Sequence, residues 1–174
     1  MNLAKRQAKE KMAERELIVD KERIDYEGPF EMVDFYRLFE AFAIDMAYDR
    51  KELKHAESVT KEGKFIELEL EPWKTLTDYA KSFIHVRVQM ANVKDIVVDG
   101  KRLQTGKISV VIDGILETDY ESRWEGKPVL LFLRSFYDKY IYKSLAGGFD
   151  KMIRSDTMHL KEVVKAFLNM YQFR

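Results

Sequence analysis

The chain has 174 residues, no cysteine, and thirty Lys and Arg set against thirty Asp and Glu. A 46% hydrophobic share with 13% aromatics is too rich for a disordered chain, and one core and one domain are expected at this length. The missing cysteines exclude disulfides, thiolate zinc sites, iron–sulfur clusters and a thiol nucleophile, while zero net charge excludes the broad basic field of a nucleic-acid coat.

Met1 to Lys11 carries four basic residues and one acid, and Met12 to Phe30 three basics and six acids. Apolar positions are sparse there, so residues 1–19 read as a charged arm or solvated helix, ahead of a single α+β domain over 20–174. Met1 to Arg15 has no apolar core of a secretory signal, and no apolar run approaches bilayer-spanning length, so a cytoplasmic location is expected. Gly28-Pro29 predicts the opening of a helix, because proline fits a first helical turn. From Glu31 to Tyr48, the residues Met32, Phe35, Tyr36, Phe39, Phe42, Ala43 and Met46 recur at helical spacing and predict an amphipathic helix.

A weak strand is expected from Leu53 to Thr60, turning at Glu62-Gly63. Lys64 to Glu71 alternates, with Ile66, Leu68 and Leu70 on one face and Glu67, Glu69 and Glu71 on the other. Ser82 to Met90 alternates likewise, placing His85, Arg87 and Gln89 outward. Val93–Val98 and Lys107–Thr118 are expected to pair as a loose hairpin through Asp99-Gly100, with Asp113-Gly114 read as a bulge or, alternatively, a second turn. Two helices follow, Pro128 to Lys143 and Phe149 to Tyr171, with a reversal at Gly147-Gly148. The expected architecture is α+β: an antiparallel sheet of four to five strands with an N-terminal helix and two C-terminal helices packed on one face.

Phosphate-cradling glycine loops, nucleophile elbows and HExxH pairs are missing, which argues against an enzyme. The outward strand faces supply the candidate binding residues Phe83, His85, Arg87, Glu67 and Glu69: a solvated ladder of ion pairs, or a surface for an anionic partner if basic charge stays unmatched. Asp113, Glu117, Asp119, Glu121 and Glu125 form an acidic cluster that could serve a metal-assisted enzyme, although it lacks the EF-hand pattern. Asp156 interrupts the apolar stripe of the last helix and requires a partner, expected to be an Arg, a Lys or a Tyr hydroxyl on another element. Nucleic acid would be contacted through Lys5, Arg6, Lys9, Lys11, Lys101 and Arg102, with Lys107 nearby.

The stretches YEGPFEMVDFYRLFEAF from Tyr26, EPWKTLTDYAKSFIHV from Glu71, GILETDYESRWEGKPVLLFLRSFYDKYIY from Gly114 and VVKAFLNMYQFR from Val163 resemble an uncharacterised archaeal protein family. The resemblance runs from about residue 24 to the C-terminus and implies one compact cytoplasmic domain, with no activity, cofactor or catalytic residue to carry over. The reading is a non-enzymatic interaction or adaptor protein with a protein partner, no cofactor and no metal. Its alternatives are a small-ligand or lipid carrier with a pocket lined by Phe35, Phe39, Phe42, Phe136 and Tyr140, and an enzyme built on the acids near Asp119.

Overall fold

A computed structural model describes residues 14–98, 100–118 and 143–172. The elements are β1 (Glu14–Phe30), α1 (Met32–Asp45), β2 (Glu52–Val59), β3 (Lys64–Leu70), β4 (Trp73–Thr75), β5 (Ala80–Val98), β6 (Lys101–Thr118) and α2 (Lys143–Gln172). The strands form one antiparallel six-stranded sheet in the order β1-β6-β5-β3-β2, and β4 pairs with β5 beyond the end of β3. The α+β class therefore holds, with six strands where four or five were expected and two helices among the described residues. The expected helix from Pro128 falls outside those residues, apart from Lys143, where α2 begins.

Alternation sets the two faces of the sheet. Ile66 and Leu68 of β3, Ile84, Val86, Val88 and Met90 of β5, and Ile108, Val110 and Ile112 of β6 are buried on one side. Onto this side α1 sets Phe35, Phe39 and Phe42, and α2 sets Leu160, Val164, Phe167 and Leu168, in a single shared core. Phe35 is the hinge of that contact, with its ring 5.2 Å from Phe39 and 5.7 Å from Phe167. The opposite face of β3 and β5 carries the charged residues that alternate with this set.

Several expectations change. Glu14–Val19, expected within the arm, opens β1 and pairs with β6 from Thr118 onward, because the buried Val19 and Ile24 supply the core contacts that the sparse pattern concealed. Gly28 and Pro29 close β1 instead of opening α1, and the helix starts only after Phe30 is buried. Proline is tolerated there because β1 is an edge strand among the described residues. Ser82–Met90 and Val93–Val98 are one strand, β5, broken only by a bulge at Asn92, whose φ is +58°. The link expected to be loose is strand too, so β5 and β6 close as a tight hairpin at Val98 opposite Lys101. Gly147 and Gly148 lie inside α2, where a Cβ at either would meet nothing, so they neither turn the chain nor mark a close approach.

Asp113-Gly114 is neither bulge nor turn in its own strand. Gly114 stays in register with Ile84 on one side and Val19 on the other, and the extra residues sit opposite, in β1 between Leu17 and Glu22. Lys21 takes the left-handed conformation there, and its N–H donates to the Asp113 carboxylate at 2.7 Å. Gly114 is small for another reason: a Cβ would lie 2.6 Å from Thr157 Oγ1 and 3.0 Å from Ile153 Cγ2, so α2 crosses β6 in contact with its backbone. Gly63 plays a related part in the β2–β3 turn, with φ +142° and the β5 bulge backbone 2.8 Å from where a Cβ would stand.

Candidate functional site

The residues predicted for binding share the open face of the sheet, since Glu67 and Glu69 of β3 stand beside Gln89 and Arg87 of β5 in register. Their charges are matched. The Glu69 carboxylate lies 2.6 Å from His85 Nε2, and Arg87 donates to Asp113 at 2.6 Å. Glu67 accepts from Lys54 and from the Gln89 amide, and the Lys54 ammonium holds its carboxyl below the usual carboxylate range. Phe83 is buried beneath the Arg15 guanidinium, 4.6 Å from the ring centroid. Arg15 in turn bridges Glu117 at 2.7 Å and Glu71 at 3.2 Å, and Lys51 also reaches Glu71 at 3.2 Å. This lattice is a charged sheet surface whose basic groups already face carboxylates.

Of the acidic cluster, Asp113 and Glu117 are both consumed in these pairs. Asp119, Glu121 and Glu125 lie outside the described residues. Among the described residues no group of three or more His, Asp or Glu side chains is placed to hold a metal ion. No helix of the described residues is long and apolar enough to cross a membrane. Lys101 and Arg102 are exposed at the β5–β6 hairpin end, whereas Lys5, Arg6, Lys9 and Lys11 lie outside the described residues.

Asp156 is buried and doubly tied, as its place in the apolar stripe requires. Lys74 donates to Oδ2 at 2.6 Å and the Tyr48 hydroxyl to the same oxygen at 2.9 Å. Tyr48 spends its one proton on Asp156, so the Ser82 hydroxyl donates to Tyr48, 2.9 Å away. The Lys74 ammonium also sits 4.4 Å from the centroid of the Tyr48 ring, a cation–π contact that strengthens when desolvated. Burial pushes the Tyr48 hydroxyl well above its usual range, keeping it protonated as a donor. This knot joins the chain after α1, β4, β5 and α2, and its members are hydrogen-bonded to one another. It is a structural fastening. Sequence reasoning found Asp156 and the type of its partners, but Lys74 sits in no periodic pattern, and Tyr48 and Ser82 stand at the ends of theirs, where nothing names them as those partners.

A cavity of about 230 Å³ opens between α1 and the strands beneath it, lined by Tyr36, Phe39, Phe42, Leu70, Pro72 and Leu160 among others. Arg50 and Lys51 stand at its rim, each paired with a carboxylate, Glu40 at 2.7 Å and Glu71 at 3.2 Å. Of the aromatics expected to line a pocket, Phe39 and Phe42 do so, Phe35 is fully buried in the core, and Phe136 and Tyr140 lie outside the described residues.

The weak strand expected from Leu53 to Thr60 is β2, and what the residue patterns did not single out is its place at the edge of the sheet. All eight of its residues are exposed, and among the described residues it pairs with β3 alone. Lys54, Ala56 and Ser58 look to the open face, opposite Glu69, Glu67 and Phe65, while His55, Glu57 and Val59 look to the helical side. Tyr36 of α1 secures His55 there, its hydroxyl 3.2 Å from Nε2 and its ring centroid 5.7 Å away. The two sheet edges differ in a way that matters. β1 carries two irregularities, a left-handed Lys21 and Pro29, all of which blunt an edge. β2 has a single shift, between Glu52 and Lys54, and then runs regularly to Val59 without Gly or Pro.

No family model matches this chain, and no curated protein matches it significantly.

Proposed function

We propose that this chain is a protein-interaction domain, a non-enzymatic adaptor whose docking surface is the free edge of β2. The observation that carries the reading is an eight-residue edge strand exposed throughout, with a row of backbone N–H and C=O groups that β3 does not use. Such an edge receives an added strand through main-chain hydrogen bonds, and alternate side chains on its two faces confer specificity. The charge-matched open face supports the same reading, because its basic groups are occupied by carboxylates of the same sheet. Capture from native extract on the wild-type chain and on Leu53→Lys/Val59→Lys tests it. A partner recovered reproducibly by the wild type and lost by the folded variant is expected; equal recovery by both would overturn the reading.

A second reading, a carrier of a small apolar ligand, is favoured by the cavity under α1. Its volume of about 230 Å³ lies below the roughly 300–1,000 Å³ of ordinary ligand sites, so the cargo would be small. Native mass spectrometry of freshly purified protein decides it, since a carrier retains a bound mass and an empty chain contradicts the reading.

A further inference from the structure

We propose that the strand received by β2 is the β2 of a second copy of this chain, docked antiparallel about Ala56. The inference rests on the reading of β2 as a docking edge and names its partner. A two-fold pairing that keeps both helical layers on the same side of a continuous sheet can join only residues that share a face, so its axis must pass through a residue.

Centring within one residue of either end of β2 pairs three residues or fewer of each strand, and the other centres but one are unfavourable. Centring on Lys54 sets two ammonium groups face to face, and centring on Glu57 does the same with two carboxylates. Centring on His55 puts Leu53 opposite Glu57, and centring on Ser58 puts Glu57 opposite Val59. Centring on Ala56 resolves every position. A methyl group meets its own copy on the axis, His55 comes opposite Glu57, Lys54 opposite Ser58, and Leu53 opposite Val59, each pair occurring twice. Leu53 and Val59 are the large apolar side chains of β2, exposed by 43% and 78%, and this register brings Val59 to the partner's Leu53, at the shift between Glu52 and Lys54. The imidazole is already held on the helical side by Tyr36. Among the described residues Glu57 pairs with the exposed Lys64, at 3.1 Å through one oxygen, which leaves its other oxygen to the partner's imidazole.

The chain contains no cysteine, so a single introduced thiol can bridge only to another copy. In the proposed register the two residues 56 stand about 4.5–5.5 Å apart at Cα, within disulfide reach, whereas two residues 58 are about 14 Å apart. Sedimentation velocity of the purified wild-type chain is expected to show a dimer that grows with concentration. Under mild oxidation Ala56→Cys should give about tenfold more covalent dimer than Ser58→Cys, in keeping with that separation. Both sites are exposed, and circular dichroism verifies that both variants are folded. A single monomeric species across the micromolar range, or equal cross-linking by the two variants, would overturn self-pairing. A monomer that still loses its captured partner in Leu53→Lys/Val59→Lys overturns self-pairing while leaving the docking edge standing.

Discussion

Replacing Lys74 with methionine is expected to destabilise the chain by about 3–5 kcal/mol, the cost of leaving a buried carboxylate without its cation. Asp156 is only 5% exposed and receives its two hydrogen bonds from Lys74 and Tyr48. Methionine fills the lysine's volume but leaves Asp156 with the tyrosine donor alone. Urea denaturation should therefore show a lower midpoint with an unchanged slope, since the surface exposed on unfolding stays the same. Adding Asp156→Leu to Lys74→Met should recover roughly 1–3 kcal/mol of the loss, because an apolar pair of similar volume no longer carries the desolvation cost. Ser82 and Tyr48 would remain hydrogen-bonded to each other in that double variant. If Lys74→Met is neutral, the knot does not fasten α2 to the sheet.

Gly114→Ala carries the second large effect, a loss of about 1–3 kcal/mol from overpacking at the α2–β6 crossing. The added Cβ meets the Thr157 hydroxyl at 2.6 Å. That hydroxyl cannot swing away freely, since Thr157 is fully buried and donates to the Ile153 carbonyl at 2.7 Å. Val19 closes the remaining side, its Cβ 3.3 Å away. Removing the obstacle should help, so in a Thr157→Ala background Gly114→Ala should cost at least about 1 kcal/mol less than alone. Thermal or urea unfolding of the four proteins in this cycle measures the coupling. Simple additivity would mean that the close approach of α2 to Gly114 does not limit the packing.

These two positions show what was legible in the chain and what was not. Strict alternation in Lys64–Glu71 and the aromatic spacing of α1 reported their own elements, because each pattern is local and its cause is one buried face. Asp156 was visible as a violation of such a pattern, but its partners are 82 and 108 residues away, a separation that no local rule crosses. Gly114 stood out as a glycine within a strand, and the helix that demands it lies some forty residues downstream. Gly147-Gly148 misled in the opposite sense: a glycine pair permits a reversal without requiring one, and α2 continues through it. Pro29 marked the end of an edge strand as readily as the start of a helix.

The candidate site divides the same way. Of the pairs expected across β3 and β5, His85 beside Glu69 follows the alternation, whereas Arg87 turns to Asp113 of β6 and Glu67 to Lys54 of β2. The β2 edge did not follow, because being an edge is a property of sheet order. Nothing in ELKHAESV states that, among the described residues, β3 alone pairs with it.

Hydrogen exchange at the backbone amides of β2 tests the docking edge most directly, compared between dilute and concentrated wild-type protein. The amides of 53–59 that are not bonded to β3 should exchange rapidly when dilute and become protected as copies meet, while the Leu53→Lys/Val59→Lys variant stays fast at both concentrations. Protection of those amides that is complete and independent of concentration, and equal in the variant, would contradict the account, because the edge would then be closed within a single chain.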